Sequence, residues 1–102
     1  AGGVASGAVP YFLGGVAALA GEGEEAFLHY EEALEFHERM RMRPWLGWTY
    51  LRYGLAVRAR RDPRDAGRVG DLLDRAVAVA GQVGMPHLLR EAEAARRDVA
   101  GR

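Results

Sequence analysis

The stretch AFLHYEEALEFHERM, residues 26–40, decides how this chain folds. Its small and apolar residues recur at helical spacing, while glutamates fill the positions between them. Such a pattern predicts an amphipathic helix with one narrow apolar stripe. The stripe is formed by Ala26, Tyr30, Ala33 and Met40. Because alanine is small, the stripe indicates a close helical neighbour.

The rest of the sequence predicts an all-α chain of about five helices, arranged as antiparallel hairpins. Prolines lie in the first turns of three of them, and a glycine after the fourth is typical of a helix stop. Residues 1–8 are glycine-rich and are predicted to be a flexible segment, followed by one helical domain over 9–100. We predict helices over about 9–20, 24–40, 44–60, 64–83 and 86–100. They form a hairpin over 9–41, a hairpin over 44–83, and a capping or truncated helix over 86–100.

The composition limits the possible functions. The 14 basic residues are all arginine and balance 14 acidic residues, so no net charge attracts nucleic acid or anionic membrane. Cysteine is absent, which excludes disulfides and thiolate metal sites. No apolar run reaches the roughly 20 residues that span a bilayer. The absence of lysine, isoleucine and asparagine favours a GC-rich bacterial genome. We therefore expect a cytoplasmic protein without membrane contact.

The sequence also repeats itself. Residues of the second predicted helix match residues 43 positions later in the fourth, and the pairs are Ala26 with Val69, Tyr30 with Leu73, Ala33 with Ala76, Met40 with Val83 and Met42 with Met85. Leu13-Gly14 corresponds to Tyr53-Gly54 at a shift of 40. Glycine inside a helix costs about 0.5 to 1 kcal/mol relative to alanine. We therefore expect Gly14 and Gly54 each to lie close to the partner helix.

These residues resemble the tetratricopeptide repeat, a helical hairpin of about 34 residues. The residues that match its pattern are Leu13, Gly14, Gly21, Ala26, Tyr30 and Ala33, and Pro10 and Pro44 are 34 residues apart. The second unit departs from the pattern, with Val69 and Leu73 in place of an alanine and an aromatic residue. The resemblance implies hairpins stacked in an α-α superhelix that binds other proteins.

Two linkers extend this resemblance. RMRMRPWL, residues 39–46, and QVGMPHLL, residues 82–89, look like the C-terminal repeat region of bacterial LuxR-type ATP-dependent transcriptional regulators and related cyclase or ATPase signalling proteins. The resemblance implies a protein-protein interaction or scaffold module without enzymatic activity or cofactor. Two alternatives remain open, a homodimerising structural domain without an external ligand and a small-molecule effector-sensing domain.

Several residues that could carry chemistry are better explained without it. His29 and His37 are eight residues apart, about two helical turns, which is too far to share one metal ion. Glu31 and Glu35 are predicted to lie on a solvated face. An arginine cluster offers the best contact for nucleic acid, but aspartates interrupt it and a solvated turn is favoured; it comprises Arg58, Arg60, Arg61, Arg64 and Arg68.

The predicted partner-binding surface is an apolar line on the third predicted helix, extended by residues of the first. It consists of Tyr11, Leu19, Trp48, Leu51, Leu55 and Arg58. An apolar patch of this kind is rarely left in water by a small monomer. We therefore expect it to contact a second copy, flanking repeats or a partner segment. The competing interpretation is that the last helix covers it.

Overall fold

The computed structural model describes residues 23–100 as four α-helices joined by short turns, with no strand among them. The helices are α1 (Gly23–Arg39), α2 (Arg43–Ala59), α3 (Ala66–Val83) and α4 (Pro86–Ala100). The all-α prediction is confirmed. The helix predicted over 9–20 and the flexible segment over 1–8 lie outside the described residues.

Local sequence signals explain where the helices begin and end. Glu24 and Glu25 lie in the first turn of α1, where acidic side chains interact favourably with the helix dipole. Pro44 lies in the first turn of α2. Helix α3 ends at Gly84, whose φ of 79° is left-handed. These boundaries agree with the predicted ones to within one residue.

The start of α3 differs from the predicted one. A short 3-10 helix over Pro63–Asp65 precedes it, so α3 begins at Ala66 rather than at Arg64. The Asp62 carboxylate accepts a hydrogen bond from the backbone N–H of Arg64 at 3.0 Å. Asp62 thereby caps the 3-10 helix, whose turn is closed by a bond from the Asp65 N–H to the Asp62 carbonyl group at 2.9 Å, and the α-helix begins after it.

Helix α2 is the centre of the described fold, because α1, α3 and α4 all pack against it. The Tyr30 and Tyr53 rings stack with centroids 5.5 Å apart, and His37 and Trp45 meet at 5.9 Å, so α1 and α2 are antiparallel. A Cβ atom on Gly54 would lie 2.9 Å from Leu73 Cδ2. The predicted close approach of Gly54 to its partner helix is therefore confirmed.

The two helical pairs α1–α2 and α3–α4 are related by the 43-residue shift seen in the sequence. Arg41 and Gly84 occupy equivalent left-handed positions, with φ of 54° and 79°. The N–H groups of Met42 and Met85 donate equivalent bonds to the carbonyl groups of His37 and Ala80, at 2.8 and 2.9 Å. Both turns are therefore the same helix-ending motif. The structure thus repeats a hairpin within residues 23–100.

Candidate functional site

Helix α4 packs against the described part of the predicted partner-binding surface. Leu51 is only 1% exposed, and Trp48 and Leu55 are partly buried against the core. The prediction that Leu51 is exposed is therefore wrong. Tyr11 and Leu19 lie outside the described residues, and the binding role of Trp48, Leu55 and Arg58 stays a prediction.

Contacts at both ends of this face explain its burial. The Trp48 and His87 rings have centroids 6.0 Å apart near the start of α4. Near the end of α4, an Asp98 carboxylate oxygen lies 3.3 Å from a guanidinium nitrogen of Arg58. Helix α4 thus runs parallel to α2 and covers the line between these two contacts. These contacts agree with the competing interpretation, in which the last helix covers the apolar line.

A different surface feature is open to solvent, a cleft between α1 and α3 with a volume of about 610 Å³. Both helices pack on α2, so Tyr50 of α2 lies between them. The other lining residues are Glu31, Glu32, Leu34, Glu35 and Glu38 from α1, and Arg68, Asp71, Leu72 and Arg75 from α3. The cleft therefore has an acidic wall and a wall of mixed charge.

A hydrogen-bonded group joins three helices at one end of the cleft. Buried Tyr53 of α2 donates its hydroxyl proton to Glu31 of α1 at 2.7 Å. Arg68 of α3 donates to the same carboxylate at 3.1 Å and also to the Tyr53 hydroxyl. The Arg68 guanidinium lies 4.9 Å from the centre of the Tyr53 ring, within cation-π distance. This group fixes the Glu31 carboxylate in place.

A second group of the same composition lies further along the cleft. Tyr50 donates its hydroxyl proton to Glu38 at 3.1 Å, and the Arg75 guanidinium lies 5.9 Å from the centre of the Tyr50 ring. Burial raises the pKa of the Tyr50 hydroxyl. The Tyr50 hydroxyl and the Asp71 carboxylate raise the pKa of Arg75. The Tyr50 hydroxyl therefore stays neutral and the Arg75 guanidinium stays charged near neutral pH.

The two groups leave part of the acidic wall without partners. Glu31 and Glu38 are seven residues apart on α1, as Arg68 and Arg75 are on α3. Between the two carboxylates on α1 lie Glu32 and Glu35, which are exposed and form no ion pair with any residue in 23–100. The lining contains four glutamates and one aspartate but two arginines, so the cleft carries an excess of negative charge.

Sequence reasoning identified Glu31 and Glu35 only as solvated carboxylates and did not identify the tyrosine and arginine partners. The seven-residue spacing of glutamates on one helix and of arginines on another can be read from the sequence. The sequence does not show which helices face each other, because the partners come from three separate helices. Only the packing of α1 and α3 on α2 brings them together.

The two histidines of α1 differ in their burial. His37 is fully buried, with Nδ1 3.3 Å from Thr49 Oγ1. His37 is buried because α2 covers this side of α1. His29 is half-buried, with Nε2 3.6 Å from a Glu25 carboxylate oxygen. Within residues 23–100, no group of three ligating side chains is placed to hold a metal ion.

The arginine cluster is largely paired with carboxylates. Arg64 lies 2.7 Å from Asp62, Arg60 lies 4.0 Å from the same carboxylate, and Arg68 pairs with Glu31. Hydrogen bonds from Arg64 hold the pKa of Asp62 below its ordinary value. Arg61 is the member of the cluster that forms no ion pair with any described residue. The cluster therefore presents little unbalanced positive charge.

The chain matches no protein-family model, no curated protein and no solved structure. The tetratricopeptide resemblance thus depends on the residues quoted above. Among the described residues, no helix combines the length and apolar character needed to cross a membrane.

Proposed function

We propose that this chain is a protein-protein interaction module of the helical-hairpin repeat type, and that its α1–α3 cleft binds an arginine- or lysine-rich segment of a partner protein. The observation that carries the proposal is a pair of exposed carboxylates, Glu32 and Glu35, which line a cleft of about 610 Å³ and form no ion pair within residues 23–100. A basic side chain that enters the cleft gains carboxylate partners that these described residues leave unused.

The surroundings of these carboxylates favour an extended basic segment over a single small cation. Leu34 and Leu72 line the cleft and offer contact to the aliphatic stem of an arginine or lysine. Tyr50 and Tyr53 hold Glu38 and Glu31 in fixed positions on either side. Fixed acceptors reduce the ordering cost that a bound partner must overcome.

The resemblance to tetratricopeptide repeats supports a wider proposal about context. The module belongs to a bacterial transcriptional regulator or signalling protein in the cytoplasm, where it acts as a scaffold and performs no catalysis. The resemblance of residues 39–46 and 82–89 to such proteins supports this assignment, as does the lysine-free composition.

Fluorescence anisotropy with a labelled oligoarginine peptide tests the cleft. We expect the double variant Glu32→Gln/Glu35→Gln to bind the peptide about ten-fold more weakly, a loss of about 1.4 kcal/mol. Binding should also weaken with added salt, because exposed charges are screened. The control is Glu24→Gln/Glu91→Gln, which removes the same charge from exposed positions that do not line the cleft. Equal losses in the two double variants would show non-specific attraction and overturn the proposed site.

A further inference from the structure

A second cavity, separate from the charged cleft, lies where the end of α2, the 3-10 helix and the end of α4 meet. Its volume is about 380 Å³, which is in the lower part of the range for small-molecule sites. Val57, Val69 and Val99 come from three different helices to form its walls, and Pro63 and Ala66 complete its apolar lining. This cavity therefore accepts a small apolar group.

The polar residues of this cavity are Arg58, Arg61 and Asp62. The Asp62 carboxylate is already engaged by Arg64 at 2.7 Å and accepts the N–H of Arg64 at 3.0 Å. Arg58 has one carboxylate contact, with Asp98 at 3.3 Å. Arg61 forms no ion pair with any residue that the structure describes. The charge left for a ligand is therefore positive.

We propose that this cavity binds a small organic carboxylate whose apolar chain lies among the three valines and whose carboxylate pairs with Arg61. A guanidinium group is suited to this because its N–H donors match the two oxygens of a carboxylate. Arg58 lines the same cavity, where it is paired with Asp98, so the charge available to a ligand is that of Arg61. An uncharged molecule of the same shape gains the apolar contacts alone.

Amide NMR of the isotope-labelled chain tests this site, with octanoate as the probe and octanol as its uncharged counterpart. We expect octanoate to shift the amide signals of Val57, Arg61, Val69 and Val99. It should bind about ten-fold more tightly than octanol, because a hydrogen bond to a charged group contributes about 1.5 kcal/mol or more. Shifts centred elsewhere, no shifts, or equal affinities for the two probes would overturn the proposal.

Two variants separate the charge from the cavity. Arg61→Gln should weaken octanoate binding about ten-fold and leave octanol binding unchanged. The matched control is Arg52→Gln, an exposed arginine of α2 that does not line the cavity, which should bind octanoate as the parent chain does.

Ala66→Leu adds apolar bulk at an exposed residue of the lining and should reduce the binding of both probes. Unchanged octanoate affinity in both Arg61→Gln and Ala66→Leu would show that the carboxylate binds elsewhere, and would overturn the assignment. The amide spectrum of each variant reports at the same time whether the chain is folded.

Discussion

At the residue scale, glycines of the described helices differ in whether a side chain can be added. A Cβ atom on Gly47 would lie 2.7 Å from Leu88 Cδ2 and 3.1 Å from Val79 Cγ1, whereas one on Gly70 meets nothing within 4 Å. We expect Gly47→Ala to lower the free energy of unfolding by about 1 kcal/mol, because crowding outweighs the gain in helix propensity. Gly70→Ala should raise it by about 0.5 to 1 kcal/mol. Urea denaturation measures both, and a stabilised Gly47→Ala variant would contradict the close approach of α2 and α4.

The equivalent turns at Arg41 and Gly84 allow a reciprocal test. Arg41 has a φ of 54°, a left-handed conformation that strains a residue with a side chain, and Gly84 has a φ of 79° without that strain. We expect Arg41→Gly to stabilise the fold by about 0.5 to 1 kcal/mol, and Gly84→Ala to destabilise it by a similar amount. Thermal unfolding followed by circular dichroism measures both. Changes of the same sign would show that the two turns are not equivalent.

The ionisation of Tyr50 links its burial to pH. Burial raises the pKa of its hydroxyl in the folded state, so the neutral form is favoured on folding. The resulting stability is present below the unfolded pKa of about 10 and is lost as the pH rises through the folded value. Tyr50→Phe should therefore lose less stability than the parent chain between neutral pH and the alkaline range. Denaturation at several pH values measures the difference, and parallel curves would show that Tyr50 does not contribute.

At the scale of the element, α2 is apolar on more than one side, and for this reason three helices pack around it. Leu51 lies on the side that α4 covers and is 1% exposed. We expect Leu51→Glu/Leu55→Glu to unfold the chain, since it buries charge and removes apolar contacts worth about 2 to 5 kcal/mol for each side chain. Circular dichroism measures the loss of helix, with the exposed Arg52→Glu as control. A folded double variant that loses only self-association would restore the predicted binding surface.

At the scale of the whole molecule, the two helical pairs α1–α2 and α3–α4 present different outer faces. By the 43-residue shift, the positions of α4 that match Gly47, Tyr50 and Gly54 of α2 carry Arg90, Glu93 and Arg97. Arg90 and Arg97 are exposed, so this face of α4 is charged where the same face of α2 receives α3. Charged side chains do not favour the same close packing between α4 and another helix.

This difference predicts the association state of the isolated chain. With a charged outer face on α4 and the apolar line of α2 already covered, we expect a monomer of 11.1 kDa. Light scattering at several protein concentrations measures the mass. A stable dimer would instead support the homodimerising alternative, and the position of its interface could be found by repeating the measurement with Arg90→Glu.

The sequence by itself determined the fold class, most helix boundaries and the repeat. Proline and glycine at helix ends act locally, through φ and the missing N–H, and the alanine and glycine positions report close packing directly. The close approach of Gly54 to its partner helix could be predicted for this reason. The same signals located the turns at Arg41 and Gly84 to within a residue or two.

Only the tertiary structure decided which apolar face is surface and which carboxylates have partners. Helical periodicity separates a polar side from an apolar side, but α2 has few polar residues, and a helix that is apolar on most sides is typically buried on most sides. That property of α2 is consistent with the position of Leu51 in the core. The groups around Tyr50 and Tyr53 each draw residues from three helices that are distant in sequence. Their geometry depends on how α1 and α3 pack on α2, which no local pattern encodes.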